Sequence, residues 1–390
     1  MFPALAAASS PSVTPEAATK VGIDTATLNS SVNPNGQETS YRFEYGTTTS
    51  YGKSVPVPDK AIGSGKEAVK VSETIGGLTS GTTYHFRVVA ANVEGTSFGA
   101  DKSLTTEVDS RFAFAFGSAG SGDGQFFGSE DIAIDSSGNV WVSDEYFNNR
   151  VEEFNSKGEY LSKFGTTGTG NGQFNTPGGI AIDSSGNLWV VDTENYRVEE
   201  FNSKGEYLSK FGTKGSGNGQ FELPIDIAID PSGNLWVTDE ETNRVEKFNS
   251  KGEYLSKFGS LGSGNGQFTW PFGIAIDSEN NVWVADTFNA RVEEFNSKGE
   301  YLSKFGTTGS GNGQFETPHY IAIDSGGALW VTDSQGRVEH FNAKGEYLSQ
   351  FGTKGNGQGQ FNGPGGLAVD SEDNVWVVDS GNNRVQKWVP

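Results

Sequence analysis

Between residues 178 and 213 the chain reads GGIAIDSSGNLWVVDTENYRVEEFNSKGEYLSKFGT, and its polar and apolar positions alternate through four short runs. IAID, LWVV, RVEEFN and EYLSKFG follow the two-residue period of half-buried strands. SSGN, DTENY and SKG separate them, with Gly, Asn, Ser and Asp where turns need them. The pattern predicts four antiparallel strands in one small sheet. Such a sheet needs neighbours over both faces.

The neighbours are present. Trp141, Trp189, Trp236, Trp283, Trp330 and Trp376 recur at spacings of 48, 47, 47, 47 and 46. Ala133, Ala181, Ala228, Ala275, Ala322 and Ala368 recur with them, small where strands crowd an axis. Four strands on this period make a propeller blade. Residues 111–390 are therefore expected to be all-β, a six-bladed β-propeller. The last copy ends after its third strand, whereas Arg111–Gly117 (RFAFAFG) precedes the first copy and aligns with YLSKFG. That N-terminal strand is expected to close the last blade and remove the exposed edges.

The residues ahead read differently. Residues 1–18 are rich in Ala, Ser and Pro and are expected to be a disordered leader or signal remnant, lacking a basic start and a full apolar core. Residues 19–106 lack the Trp period. TATLNSSV, TSYRFEYG, AVKVSETI, TYHFRVVAANVEG and ADKSLTT alternate as strands between NPNG, TTTSYGKS and GGLTSG, which predicts a small β-sandwich. Residues 107–110 read as a polar linker.

Charge narrows the partners. The formal net charge is −21, and residues 108–390 hold 39 acidic against 20 basic side chains, a net of −19. Phosphate backbones would be repelled, so no nucleic acid is expected. No run approaches the ~20 apolar residues of a membrane span, so no membrane insertion is expected. With no cysteines, disulfides and thiolate metal sites are excluded.

Two resemblances follow from motifs. The recurrent pattern is apolar-Ala-apolar-Asp, then Gly-Asn, then Trp-Val-x-Asp, then Asn-x-Arg-Val or Asn-Arg-Val. In the first copy this is IAID at 132–135, GN at 138–139, WVSD at 141–144 and NNRV at 148–151, and GNGQF with a Pro three residues on precedes most copies. In these motifs residues 111–390 resemble the NHL-repeat family, whose domains are mostly binding platforms and in a minority enzymes. Tyr84 after the turn Leu78–Thr83, with VVAANVEG following, resembles the tyrosine corner of fibronectin type III modules, although the usual core Trp is missing. Together the resemblances imply a secreted or cell-surface, bacterial-type protein.

Repeated polar residues are expected to be structural. Asp144, Asp192, Asp239, Asp286, Asp333 and Asp379 end the second strands, and Arg150, Arg197, Arg244, Arg291, Arg337 and Arg384 open the third. Each pair flanks one loop and can join across it. Asp135 and its counterparts suit turn amides. Calcium is the metal such carboxylates would take, but DSSGN is not the spaced loop of an EF-hand; no cofactor is expected.

Unlike residues gather before the first strand and after the second. The first set runs Glu130–Asp131, Gly178–Gly179, Ile225–Asp226, Phe272–Gly273, His319–Tyr320 and Gly365–Gly366. The second includes Glu145–Tyr146–Phe147, Thr193–Tyr196, Glu240–Glu241–Thr242 and Thr287–Phe288–Asn289. In a propeller both sets lie on one face, around the channel mouth. Asp131, Tyr146, Glu194, Tyr196, Asp226, Glu241, Phe272, Phe288, His319 and Tyr320 are the candidate rim, suited to a protein, peptide or carbohydrate ligand of a monomer. A binding platform is the first expectation. A metal-assisted lyase or hydrolase using Asp131, Asp226 and His319 is the second, and a surface spacer or scaffold the third. Histidine occurs only at 85, 319 and 340, which cannot supply a three-His zinc site on the propeller.

Overall fold

The computed structural model describes residues 9–22, 24–79, 82–106 and 112–389. They fall in two compact units, one within 1–110 and one within 111–390. Both are built from strands; three 3-10 turns are the helical segments among the described residues.

The first unit has two sheets. Ser12–Pro15, Ala26–Asn33 and Val69–Ile75 form one. Lys53–Gly63, Thr39–Gly46, Thr83–Asn92 and Gly95–Phe98 form the other, with Lys102–Thr105 also on Thr83–Asn92. Leu28 and Val71 from one sheet share a core with Tyr41, Phe43 and Phe86 from the other. The Tyr84 hydroxyl accepts the Thr79 N–H at 3.0 Å, which ties the preceding turn to the strand.

This unit departs from the reading in two places. Ser12–Pro15 lies inside the expected leader yet forms a strand against Ala26–Asn33. SVTP alternates, Val13 reaches the core, and the Ser30 hydroxyl donates to the Thr14 carbonyl at 2.9 Å. The leader's residues 1–8, like the linker at 107–110, lie outside the described residues. Lys53–Gly63, KSVPVPDKAIG, is a strand hidden by its two prolines. It lies at a sheet edge, where a missing N–H breaks no ladder between two neighbours.

The second unit contains six four-stranded antiparallel sheets. Sheet two pairs Pro177–Ile182, Leu188–Asp192, Arg197–Phe201 and Tyr207–Phe211 in chain order, and sheets one, three, four and five repeat it. Sheet six takes Pro364–Val369, Val375–Asp379 and Arg384–Trp388, then Phe112–Phe116 as its fourth strand, with Val385 opposite Phe116. The first strand of each sheet packs on that of the next, and the first strand of sheet six packs on that of sheet one.

The repeated residues build this arrangement. Asp183 Oδ1 accepts the N–H groups of Ser185 and Asn187 at 2.8 and 2.9 Å, while Oδ2 accepts the Trp189 indole N–H at 3.4 Å. One carboxylate thus fixes a turn and a tryptophan. Trp189 is buried against Phe221, Ile227 and Leu235 of sheet three, and Trp141, Trp236, Trp283, Trp330 and Trp376 join their sheets to a neighbour in the same way. Phe221 comes from GNGQF, so that loop supplies a core residue between sheets.

Candidate functional site

In every sheet the ladder between the first two strands slips after its first residue. In sheet one Ser129 faces Asp144, but the next pair is Ile132 with Val142. Glu130 and Asp131 occupy the bulge, and a bulge re-aims its side chains. The same slip places 178–179, 225–226, 272–273, 319–320 and 365–366 at the mouth of the circle of first strands.

The second bulge position alternates large and small: Asp131, Gly179, Asp226, Gly273, Tyr320, Gly366. Each glycine makes room for the next sheet. A Cβ on Gly179 would stand 2.4 Å from Asp226 Oδ1, on Gly273 2.6 Å from the Tyr320 Cα, and on Gly366 1.9 Å from Asp131 Oδ1. Side chains then reach the following sheet. Asp131 Oδ2 accepts the Ile180 N–H at 2.9 Å, and Asp226 Oδ2 accepts the Ile274 N–H at 2.8 Å. Tyr320 passes over sheet six to donate to Glu130 Oε1 at 2.8 Å.

The second strands carry the same alternation. The N–H groups of Asp131, Asp226 and Tyr320 donate to the hydroxyls of Ser143, Thr238 and Thr332 at 2.9, 3.1 and 3.0 Å. Val191, Ala285 and Val378 stand there in the even sheets, which also hold the 3-10 turns Thr193–Asn195, Thr287–Asn289 and Ser380–Asn382. The structural repeat at the mouth is therefore a pair of sheets.

Carboxyls crowd this mouth. Burial and then the Asp226 charge hold Asp131 well above the usual carboxylate range. Burial raises Asp226 to about 7. Burial raises Glu130, and burial followed by the Glu130 charge raises Glu145 to about 8. Glu240 is lifted to about 7 by burial and then by Glu241. Burial lowers His319 below the usual imidazole range, against the opposing influence of Asp333 and the Pro364 backbone.

The ten sequence candidates separate into a wall and a rim. Asp131, Asp226 and Tyr320 are only 5, 4 and 2% exposed, so they are wall residues holding sheets together rather than rim residues. Phe272 and His319 are half-buried beside them. The Phe272 ring lies 5.4 Å from that of His319 and 5.2 Å from that of Tyr320. Tyr146, Glu194, Glu241 and Phe288 are exposed on the loops, and Tyr196 lies half-buried beneath Lys214. Sequence reasoning passed over Glu130, Glu145 and Glu240 as candidates. Their only signal was membership of the two variable sets, and the ring brings them together.

The repeated Asp and Arg residues form clips outside the mouth. Arg197 Nε donates to Asp192 Oδ2 at 2.8 Å, and its NH2 group lies 3.1 Å from Glu199 Oε1. Its guanidinium also donates to the carbonyls of Thr169, Gly170 and Gln173, each at 2.8 Å, and so clamps the incoming GNGQF loop. Arg150, Arg291 and Arg384 pair likewise with Asp144, Asp286 and Asp379. Arg337 lies 3.3 Å from Asp333, and Arg244 sits 3.9 Å from Asp239. In sheet six Gln386 replaces the glutamate and donates to Asp379 at 2.8 Å.

At the other end of the circle, Asp183, Pro231, Asp277 and Ser278 are among the residues lining a depression of about 310 Å³. Among the described residues no group of three or more His, Asp or Glu side chains is gathered as a metal ligand set. No helix among them is long and apolar enough to cross a membrane.

Comparison with known proteins adds a fold and a family. A structural-genomics protein of unknown function from Bacteroides thetaiotaomicron is similar over 97% of this chain and 98% of its own, at 17% identity and a TM-score of 0.55. A gluconolactonase from Xanthomonas campestris is similar over 68% of this chain and 88% of its own, at 16% identity and a TM-score of 0.53. A catalytically inactive virginiamycin B lyase from Staphylococcus aureus, solved with quinupristin, covers 93% of this chain and 99% of its own, at 14% identity and a TM-score of 0.50. Likeness at these identities concerns the all-β, propeller-like fold. No curated protein matches. Residues 169–389, more than half of the chain, match the virginiamycin B lyase family, and the protein belongs to that family.

Proposed function

We propose that the chain is a binding protein that takes its ligand on the mouth face of a six-bladed, NHL-type propeller. Six sheets and the fourth strand that Phe112–Phe116 gives to sheet six support that architecture. The propeller domain spans residues 111–390, and a fibronectin type III-like sandwich spans 19–106, supported by its two-sheet core and the Tyr84 contact. One observation carries the functional reading. Outer strands repeat almost unchanged, while unlike exposed side chains (Tyr146, Glu194, Glu241, Phe288) collect on the mouth loops. A surface that only spaces or scaffolds has no need of that asymmetry. The ligand is a protein, peptide or carbohydrate, and neither nucleic acid nor a cofactor takes part. The test is a glycan and peptide array probed with wild type and with the Tyr146→Ala, Glu241→Ala, Phe288→Ala triple variant. Binding by wild type that the variant loses, at unchanged melting temperature, supports the reading; equal binding contradicts it.

A second reading is catalytic, favoured by the family, by the Tyr320 hydroxyl that donates to Glu130, and by the burial and Glu130 charge that raise Glu145 to about 8. Glu145 would donate its proton to a leaving group, and Glu130 would accept one. Incubation with quinupristin and with gluconolactone tests it. Turnover abolished in Glu145→Gln supports it, and no turnover of either contradicts it for those substrates.

We further propose a secreted or cell-surface monomer, from the resemblance of residues 19–106 to extracellular modules. Cell fractionation checks the location, and a wholly cytosolic pool contradicts it.

A further inference from the structure

We propose that Trp270 and Phe288 form a stacking platform for the sugar rings of a neutral carbohydrate; this rests on the mouth-face reading and names its ligand class. Of the eight tryptophans, seven are buried, whereas Trp270 is 44% exposed. Its backbone conformation is one that sheets one, two and six share. Trp270 has φ 58°, in the left-handed region that bulky side chains rarely adopt. Sheets one and six place Gly128 and Gly363 at this position, with φ 73° and 63°. Sheet four instead keeps an indole there, held by a 2.9 Å bond from the Trp270 N–H to Asn243 Oδ1. The left-handed turn belongs to the repeat, since Thr176 of sheet two adopts φ 56° and donates its N–H to Asn149 Oδ1 at 2.7 Å, and what sets sheet four apart is the solvent-facing indole it carries there.

Phe288, 57% exposed, stands edge-on to the indole at 4.8 Å and 86° and so fixes its plane. Asn243 Nδ2 donates to the Glu241 carbonyl at 3.0 Å, which anchors the exposed Glu241 beside the residue that positions Trp270. An exposed acidic residue thus stands two positions before Asn243, on the loop whose Asn243 side chain holds the Trp270 backbone.

Size and charge select the occupant. The exposed parts of the two rings amount to on the order of 200 Å², given roughly 150–250 Å² for a buried aromatic side chain. A stable protein interface needs about 800 Å² per partner, whereas a sugar ring needs only a face its own size. The net charge of −19 on residues 108–390 repels acidic polymers and leaves neutral glycans unaffected.

The test titrates the whole chain with cellohexaose, xylohexaose, mannohexaose and chitohexaose. It follows tryptophan emission, acrylamide quenching and heat. With at least one hexaose, a saturable emission change and at least a two-fold drop in quenching are expected. Trp270→Ala and Phe288→Ala should each raise Kd at least ten-fold at unchanged melting temperature, and Trp270→Phe should recover part of the loss. The proposal is overturned if no hexaose binds at millimolar concentration, or if Trp270→Ala binds as tightly as wild type. In the latter case, loss of binding on Tyr146→Ala would leave the mouth-face reading standing. Capture of an array peptide by the mouth face, with no glycan bound, would likewise remove only the carbohydrate.

Discussion

Gly366 faces Asp131 across the join between sheets six and one, where a Cβ on the glycine would stand 1.9 Å from the Asp131 carboxylate oxygen. The join is also where the two ends of the second unit meet, since Phe112–Phe116 completes sheet six. Gly366→Ala must therefore push on a buried carboxylate that is itself bonded to Ile180 of sheet two. Overpacking of this kind costs about 1–3 kcal/mol. Thermal denaturation should show a clear fall for Gly366→Ala and Gly179→Ala. An alanine at Gly76, whose Cβ would meet nothing nearer than 3.8 Å, should have little effect.

Asp226 binds through both oxygens, to the N–H groups of Ile227 and Ile274 at 2.7 and 2.8 Å. Asp226→Ala strands two buried donors, at about 1–3 kcal/mol for each. Asp226→Asn keeps one acceptor and removes a charge that burial disfavours. Denaturant unfolding should rank wild type and Asp226→Asn well above Asp226→Ala, with the Asn variant gaining most ground at alkaline pH.

Arg197 compensates two buried carboxylates, Asp192 and Glu199, whereas Arg384 has only Asp379 because Gln386 is neutral. Arg384 is also the more exposed, at 16% against 8% of side-chain area. Removing one partner of a buried pair costs about 3–5 kcal/mol. Arg197→Ala should approach that range in chemical denaturation, and Arg384→Ala should lose distinctly less.

Stability should fall as pH rises. Glu145 is raised to about 8, and Asp226, Glu240, Glu152, Glu293 and Glu339 to about 7, in each case first by burial. Between about 4 and these values, the unfolded chain has released protons that the folded chain still holds. Raising pH therefore favours unfolding, with the contribution complete below the unfolded pKa and lost through pH 7–8. Melting temperature should be higher near pH 5 than near pH 8, and Glu145→Gln should flatten the decline at its alkaline end.

Much of this architecture is legible in the chain, because Asp183 and Trp189 lie six residues apart and bond locally; their spacing alone announces the turn and the strand. The pairing of sheets is written there too, in Ser143, Val191, Thr238, Ala285, Thr332 and Val378. Its meaning appears only when Asp131 and Gly179 become neighbours across 48 residues. Glu130 is one acid among 49, and only the bulge after Ser129 brings it to the Tyr320 hydroxyl. Tyr320 itself reads as an exposed aromatic before its strand, yet it packs against the Gly273 gap and is buried in the wall. The edge strand Lys53–Gly63 is concealed because its prolines signal a turn while its position tolerates them.

The measurement that bears most directly on the mouth-face reading sets the two ends of the circle against each other. Wild type, Phe288→Ala at the mouth and Ser278→Trp in the depression of about 310 Å³ would be probed on one glycan and peptide array. Loss of the wild-type signal in Phe288→Ala, with retention in Ser278→Trp, is the predicted result. Loss only when the opposite depression is filled would contradict it.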